Sequence, residues 1–370
     1  MQTTSIPTHS FLSQIPTSVP KDGTNPEFTQ SFDPITEMTQ AKLFFEEWGF
    51  VVFKNVLSPD QLQLSVCDVF DYMESGAHKF SFARDMNKKC ETQLKRDDMS
   101  TWTNSNWPSM KNEGIFGEAP VFTKQAMDNR QNETVYHVFK ELIGREDLMV
   151  TMDRYGFFRP TKDVPIRSEQ TGQVELKDFP SWKSDKNIHF DRNPWHYMNS
   201  LNPISNAFPK EYNYLPSFCG EYNEAGRFDD RAVKLQALIN FVDNRDQDGG
   251  FILVPKFHKF FKEWVEATKN TIGKKYSGSS FLIMNRIDQV GQMGVRIPLR
   301  AGDMLVWDVC MPHGSQPNDS SQMRLCQFLK MYPAMKANKN RRAIINKALE
   351  GNGLVVTELG SKLFGLKEWN

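Results

Sequence analysis

Residues 187–195 read NIHFDRNPW. The run begins like a buried β-strand, in which side chains two apart point the same way, so His189 and Asp191 would share one face while Ile188 and Phe190 take the other. An imidazole beside a carboxylate can be a charge pair or two ligands of one metal ion. A metal site would need a third ligand from another strand. The chain has seven histidines. His9 falls in the N-terminal tail, and His78 and His137 fall in a helical part, which leaves His196, His258 and His313. His313 is the best placed, because in MLVWDVCMPHGSQPN a strand runs into the turn MPHGS and would bring an imidazole to the rim of a barrel.

Two histidines and one carboxylate on one face of a metal, with the other positions open, form the donor set expected of non-haem Fe(II) oxygenases. If such a site also takes 2-oxoglutarate, it needs a cation for that molecule's far carboxylate, and a two-pronged arginine suits it best. Arg324 stands eleven residues after His313, and Ser315, two residues after it, can add a hydroxyl.

The elements that must hold these groups can be read coarsely. DPITEMTQAKLFFEEWG reads as a helix with Gly49 as its stop, FVVFKNVL as a strand, and SPDQLQLSVCDVFDYME as a second helix with Ser58 as N-cap and Pro59 at N1. Residues 75–120 are polar and irregular, and about 124–143 is helical again. From about Asp147 the pattern changes to short β-rich runs, LMVTMDRYGFF, NIHFD, AVKLQALINFV, GGFILVP, GVRIPL, MLVWDV and RLCQFLKMY. Such spacing predicts an antiparallel sandwich or barrel rather than a parallel sheet. Residues 194–231 lack periodicity and are too long for a hairpin, which predicts a lid or active-site loop. The basic segment KANKNRRAIINKALEGNG reads as a helix with a solvated face, and VVTELGSKLFGLKEW as a closing helix.

The HxD pair, the distal His and the Ser and Arg at fixed offsets occur together with WGFVVFKNVLSPDQL, FVDNRDQDGGFILVPKFHK, IPLRAGDMLVWDVCMPHGSQPNDSSQMR and TELGSKLFGLKEW. As a set they resemble the phytanoyl-CoA dioxygenase family of Fe(II)- and 2-oxoglutarate-dependent oxygenases, from about Thr36 to the end of the chain. The resemblance implies a mainly β fold with flanking helices around a double-stranded β-helix, or cupin-like jelly-roll, core. It implies metal ligation by His189, Asp191 and His313, and 2-oxoglutarate binding by Arg324 and Ser315. Gln236 falls where family members place a side chain beside 2-oxoglutarate, often an aromatic one.

The activity implied is oxidation of an unactivated C–H bond by O₂, as hydroxylation, desaturation or ring closure, while 2-oxoglutarate is decarboxylated to succinate and CO₂. A small organic substrate of specialised metabolism is the expectation. The alternatives are a fatty acyl hydroxylase like the family's namesake and a non-catalytic cupin-like binder. PKFH stands at Pro255–His258 where the family has PGSH, and the insertion after the HxD strand is long. Both departures bear on the substrate. Arg154, Arg159 and Arg192 beside the strand ends, and Trp195 and His196 just past the ligand strand, are the candidate substrate-binding residues, fit for a small anionic substrate.

One domain over 34–370 is expected, with helical support 34–146, a jelly-roll core 147–333 carrying the 194–231 insertion, and C-terminal helices 334–370, behind a flexible tail of residues 1–33. The 45 basic and 45 acidic residues balance, so composition gives no pull toward nucleic acid, and 39% hydrophobic residues suffice for a large core. No apolar run is long enough for a membrane span. The five cysteines lack a CxxC pair, which fits a reducing compartment. A cytoplasmic monomer or weak homodimer follows as the expectation, with an organellar address in the tail as the alternative.

Overall fold

The strand runs pair into two antiparallel sheets. In the computed structural model, which describes residues 9–76, 93–108, 114–117, 120–168, 170–200, 213–215, 220–222, 234–279, 281–334 and 339–369, the larger sheet has six strands. In order these are Phe50–Phe53, Met304–Asp308, Leu235–Asn240, Arg324–Leu329, Tyr155–Phe158 and Ile115–Phe116. The smaller sheet orders Leu282–Ile283, Asn187–Phe190, His313–Asn318, Asp248–Leu253 and Val295–Arg296. Neighbours in either sheet are far apart in sequence, so no two-residue hairpin sets their register; the alternation of inward and outward side chains does.

That alternation separates two apolar layers. Leu238, Leu305, Trp307 and Cys326 of the larger sheet pack with Ile188, Phe190, Phe251 and Ile252 of the smaller one, and the Phe251 and Trp307 rings meet across the gap at 4.5 Å between centroids. On its other face the larger sheet turns Val51, Ala237, Ile239, Val306, Leu325 and Leu329 toward Val69, Phe70, Met127, Val135 and Phe139 of the helices. The helix over Met38–Trp48 ends at Gly49, as expected, with φ +76°. A Cβ there would lie 2.4 Å from the His258 ring, so glycine is required by space as well as conformation. The helix over Pro59–Ser75 starts on a full Ser58–Gln61 capping box.

Three expectations about the fold need correction. Residues 9–33 are not a loose tail: Phe11, Ile15, Val19, Phe28 and Phe32 are all buried. His9 Nε2 lies 2.8 Å from the buried carboxylate of Asp288, which also accepts from Trp264 Nε1 at 3.0 Å. Apolar side chains spaced among Ser, Thr and Pro supply enough burial to order the arm, which composition alone does not reveal. Second, MPHGS is not a turn delivering one histidine: His313–Asn318 is a six-residue strand despite its Gly and Pro, pairing with Asn187–Phe190 on one side and Asp248–Leu253 on the other. Third, the basic C-terminal helix, Lys339–Asn352, is not merely solvated. Arg341 is buried and donates to the carbonyls of Phe364 and Val150 and to the Tyr332 hydroxyl.

Of the 194–231 insertion, the helix Pro194–Ser200 and the short pair Asn213–Leu215 and Gly220–Tyr222 are described. The remainder, and with it the expected lid, lies outside the described residues. Cys67, Cys310 and Cys326 are free thiols. No helix among the described residues is long and apolar enough to cross a membrane.

Candidate metal centre

His189 sits in a strand whose burial alternates as the sequence demands, with Ile188 and Phe190 sealed at 0% and 1% exposure and His189 turned to the other face. Asp191 follows at the strand's end with 38% of its side chain exposed. The antiparallel register sets His313 directly opposite His189, and their ring centroids are 4.8 Å apart. His189 Nε2 lies 3.2 Å from Asp191 Oδ1, and His313 Nε2 lies 4.0 Å from Asp191 Oδ2. One ligand atom from each residue falls within 4.8 Å of the others, the only such group of three or more among the described residues; His196 and His258 are outside it.

Each imidazole is held with its metal-binding edge inward. His189 Nδ1 contacts the Asn187 side-chain oxygen at 3.1 Å, and His313 Nδ1 contacts the Met311 carbonyl at 2.9 Å. An oxygen acceptor at Nδ1 fixes the proton there and leaves the Nε2 lone pair for a cation. The same Asn187 oxygen accepts from the Ser315 backbone N–H at 3.2 Å, tying the two ligand strands together. Gly314 makes this possible, since a Cβ would sit 1.9 Å from the Asn187 carbonyl oxygen.

Protonation suits metal binding too. Lost hydration acts to raise the Asp191 carboxyl, but the Lys330 ammonium and the two imidazoles outweigh it and hold it well below the ordinary carboxylate range. Burial, and then the neighbouring His189, pushes His313 down to about 4. An anionic carboxylate and a neutral imidazole are the forms that ligate.

Across the gap, the larger sheet contributes a set of buried polar atoms without partners. Arg324 is 1% exposed, and its Nε, Nη1 and Nη2 have no hydrogen-bond acceptor; the Phe158 ring lies 5.1 Å away. Gly250, at φ +109°, leaves the room, because a Cβ there would come within 2.8 Å of the arginine Cδ. Gln236 Oε1 and Trp307 Nε1 are likewise buried without partners, and the Trp307 ring is 5.1 Å from that of His313. A dianion with one carboxylate at the triad and another at Arg324 would satisfy the arginine donors. Ser315 shares the strand face of His313 by the period of two.

Other candidates fall differently. Gln236 does more than stand beside a co-substrate, because its Nε2 donates to Asp191 itself. The Arg159 guanidinium donates to the Trp102 carbonyl and, at 2.7 Å, to Asn104 Oδ1. Trp107 and Trp182 cover it at 4.8 and 4.7 Å. Trp195 is core rather than pocket, 7% exposed, donating to the Val265 carbonyl at 3.0 Å and packed on Trp264. The Arg154 carbonyl accepts from Phe328 N, and its charge is felt at the Tyr72 hydroxyl on the helical side. Arg192 acts on the Cys310 thiol, which burial and then Asp308 raise and Arg192 lowers. His196 lies in the first turn of a helix capped by Asn193, whose Oδ1 accepts from the His196 backbone N–H.

Asn187, Trp307 and Lys330 were not singled out in the sequence. Lys330 Nζ lies 3.4 Å from Asp191 Oδ2. All three could have been found by counting in twos from residues already chosen, His189 for Asn187, Arg324 for Lys330 and the alternation of MLVWDV for Trp307.

Comparison with known proteins gives four relevant likenesses. The family model described as "Phytanoyl-CoA dioxygenase (PhyH)" matches residues 222–326. A protein of Dictyostelium discoideum described as "Putative phytanoyl-CoA dioxygenase" is 32% identical over 335 residues, 87% of this chain and 86% of its own length. "Ava biosynthesis cluster protein O" of Aspergillus versicolor is 21% identical over 314 residues, 83% of this chain and 79% of its own. Among solved structures, the "Putative Oxidoreductase from Salmonella typhimurium LT2" superposes with a TM-score of 0.53 at 12% identity, covering 90% of this chain and 85% of that one, a likeness of fold.

Proposed function

The chain belongs to the phytanoyl-CoA dioxygenase family, and from that premise we propose an Fe(II)- and 2-oxoglutarate-dependent oxygenase that oxidises an unactivated C–H bond of a small organic molecule. The observation that carries the reading is Arg324: a buried guanidinium with all three nitrogens unpartnered, on the sheet facing the His189, Asp191 and His313 cluster. A buried unpaired cation is costly and is retained where an anion completes it. The two facing sheets are read as the jelly-roll of that family, and residues 34–370, together with the packed arm of residues 9–33, as one domain around it.

His189, Asp191 and His313 would hold Fe(II), which supplies the O₂ activation that no protein side chain provides. The chain's own groups do the positioning. Asn187 and the Met311 carbonyl fix the imidazole tautomers; Gln236 fixes one carboxylate oxygen of Asp191. Arg324, with Ser315 on the facing sheet, would orient the far carboxylate of 2-oxoglutarate. Phe251, Trp307 and Phe158 line the space between with apolar surface, which strengthens the ion pairing by excluding water.

Hydroxylation is the proposed outcome, with desaturation and ring closure as routes from the same chemistry. A small substrate of specialised metabolism is favoured over a fatty acyl thioester because Lys330, at the mouth, contacts the triad itself. Anaerobic addition of Fe(II) and 2-oxoglutarate should give the weak visible charge-transfer band of the chelate, and admission of air should give succinate. Absence of both would sink the reading in favour of a non-catalytic binder.

A further inference from the structure

One strand carries a cation at each end of its inner face. Along Arg324–Leu329 and into Lys330 side chains alternate. Leu325 and Leu329 join the helix-side layer, whereas Cys326 and Phe328 join the layer between the sheets, which puts Arg324 and Lys330 on that inner side as well. Six residue steps separate the two, on the order of 20 Å of backbone. Arg324 is sealed against Gly250 and Phe158. Lys330 is 25% exposed at the mouth, and its Nζ is 3.4 Å from Asp191 Oδ2. Its backbone is fixed by Thr151, which accepts from Lys330 N through its hydroxyl at 3.0 Å and donates its own N–H to the Lys330 carbonyl at 2.9 Å.

Charge indicates what Lys330 is for. Fe(II), the Asp191 carboxylate, the 2-oxoglutarate dianion and the Arg324 guanidinium are together neutral, so Lys330 adds a positive charge that the machinery of the reaction does not need. Asp191 is a poor sole partner, because the carboxylate that would ligate a dication already accepts from Gln236 on the oxygen that Lys330 approaches. A half-buried ammonium in that position gains most from a second anion. The other arginines near the strand ends are engaged elsewhere: Arg159 between two tryptophans, Arg192 toward Cys310.

Resting on the oxygenase reading, we infer that Lys330 is a substrate-binding residue whose ammonium holds a carboxylate of the substrate at the mouth, on the opposite side of the triad from Arg324. One lysine matches one negative charge, which favours a carboxylate over a phosphate dianion. The substrate class is therefore a small carboxylic acid, and the oxidised carbon lies within a few bonds of its carboxylate, since Lys330 touches a metal ligand.

The test uses full-length protein loaded with Zn(II) and saturating 2-oxoglutarate. Ligand-observed NMR reads binding of straight-chain acids from butanoate to octanoate, their primary amides and the matching alkyl phosphates. The acids should bind about tenfold or more tighter than the amides or phosphates, as a charged hydrogen bond is worth. Lys330→Met should abolish that preference, and Lys330→Arg should keep it. The anaerobic Fe(II)–2-oxoglutarate band is measured on each variant, and in Lys330→Arg, which keeps the cation beside Asp191, it should appear at an unchanged 2-oxoglutarate concentration. No preference of the wild type for acids over amides, a preference for phosphates, or a preference for acids retained in Lys330→Met would each overturn the inference. Absence of the band in the wild type would instead overturn the oxygenase reading on which it rests.

Discussion

Arg324 bears a charge that the folded chain does not neutralise by itself, and burial pushes its guanidinium down from its ordinary value. Replacing it should therefore have opposite effects on stability and on binding. Arg324→Met is expected to stabilise the ligand-free protein by about 1–3 kcal/mol, because an unpaired buried cation is exchanged for an apolar side chain. It should weaken 2-oxoglutarate binding by about 2–5 kcal/mol, the usual loss when one member of a buried ion pair is removed. Denaturant melts and titration of the charge-transfer band check the two halves; a destabilised variant that still binds 2-oxoglutarate tightly would show that the arginine is structural. Asn187→Ala should lower metal affinity by about 10–100-fold while leaving the ligands in place, since it frees the His189 ring and unties Ser315. Competition with a chelating dye measures that. At this scale the sequence was informative where chemistry is explicit, in HxD, His313 and Arg324. It failed where identity is ordinary and only register brings a side chain in. Lys330 and Asn187 are common surface types, and Arg159 looked free because nothing local shows that Trp107 and Trp182 close over it.

Elements hold further titratable and apolar groups away from the centre. Asp303, in the turn before the strand Met304–Asp308, is 1% exposed; burial raises its carboxyl to about 7 although the Arg300 backbone N–H at 2.9 Å opposes the shift. Between the ordinary value of 3.8 and about 7 the folded chain keeps a proton that the unfolded chain has lost. Its favourable contribution is complete below the unfolded value and is lost as pH rises through that window. Asp303→Asn, which imitates the protonated acid, should remove this slope, so that its stability relative to wild type grows from pH 4 to pH 7 by about a few kcal/mol. Urea melts at several pH values decide it, and parallel curves would show that Asp303 does not titrate there. The N-terminal arm makes a second test. Phe11 stacks on Phe260 at 5.1 Å and is buried, so Phe11→Ala should cost about 3–5 kcal/mol. The Ser, Thr and Pro content that suggested a tail is compatible with order because Phe11, Ile15 and Val19 recur every four residues, a pattern too short to be read as an element but long enough to join Phe257, Phe261 and Trp264 in one apolar layer.

For the molecule as a whole, the division of labour between the sheets matters most. The three metal-ligating candidates belong to the smaller sheet or its strand end, whereas Gln236, Trp307, Arg324 and Lys330 come from the larger sheet or its continuation. This two-sheet arrangement was foreseeable from many short strands without an alternating helix rhythm, but the strand His313–Asn318 was hidden by its turn-like Gly and Pro, and with it the pairing that sets His313 against His189. Metal alone should therefore brace one sheet, and 2-oxoglutarate, reaching from metal to Arg324, should link the two. With Mn(II) in place of Fe(II), metal by itself is expected to slow amide hydrogen exchange in Asn187–Phe190 and His313–Asn318. Adding 2-oxoglutarate at a hundred times its Kd should stabilise the fold by about 2.7 kcal/mol more and extend the protection to Arg324–Leu329 and Leu235–Asn240. Without metal, 2-oxoglutarate loses its chelate anchor and should protect neither. Protection that stays confined to the smaller sheet would mean that the co-substrate does not reach Arg324, and equal protection with and without metal would mean that it binds Arg324 independently of the triad.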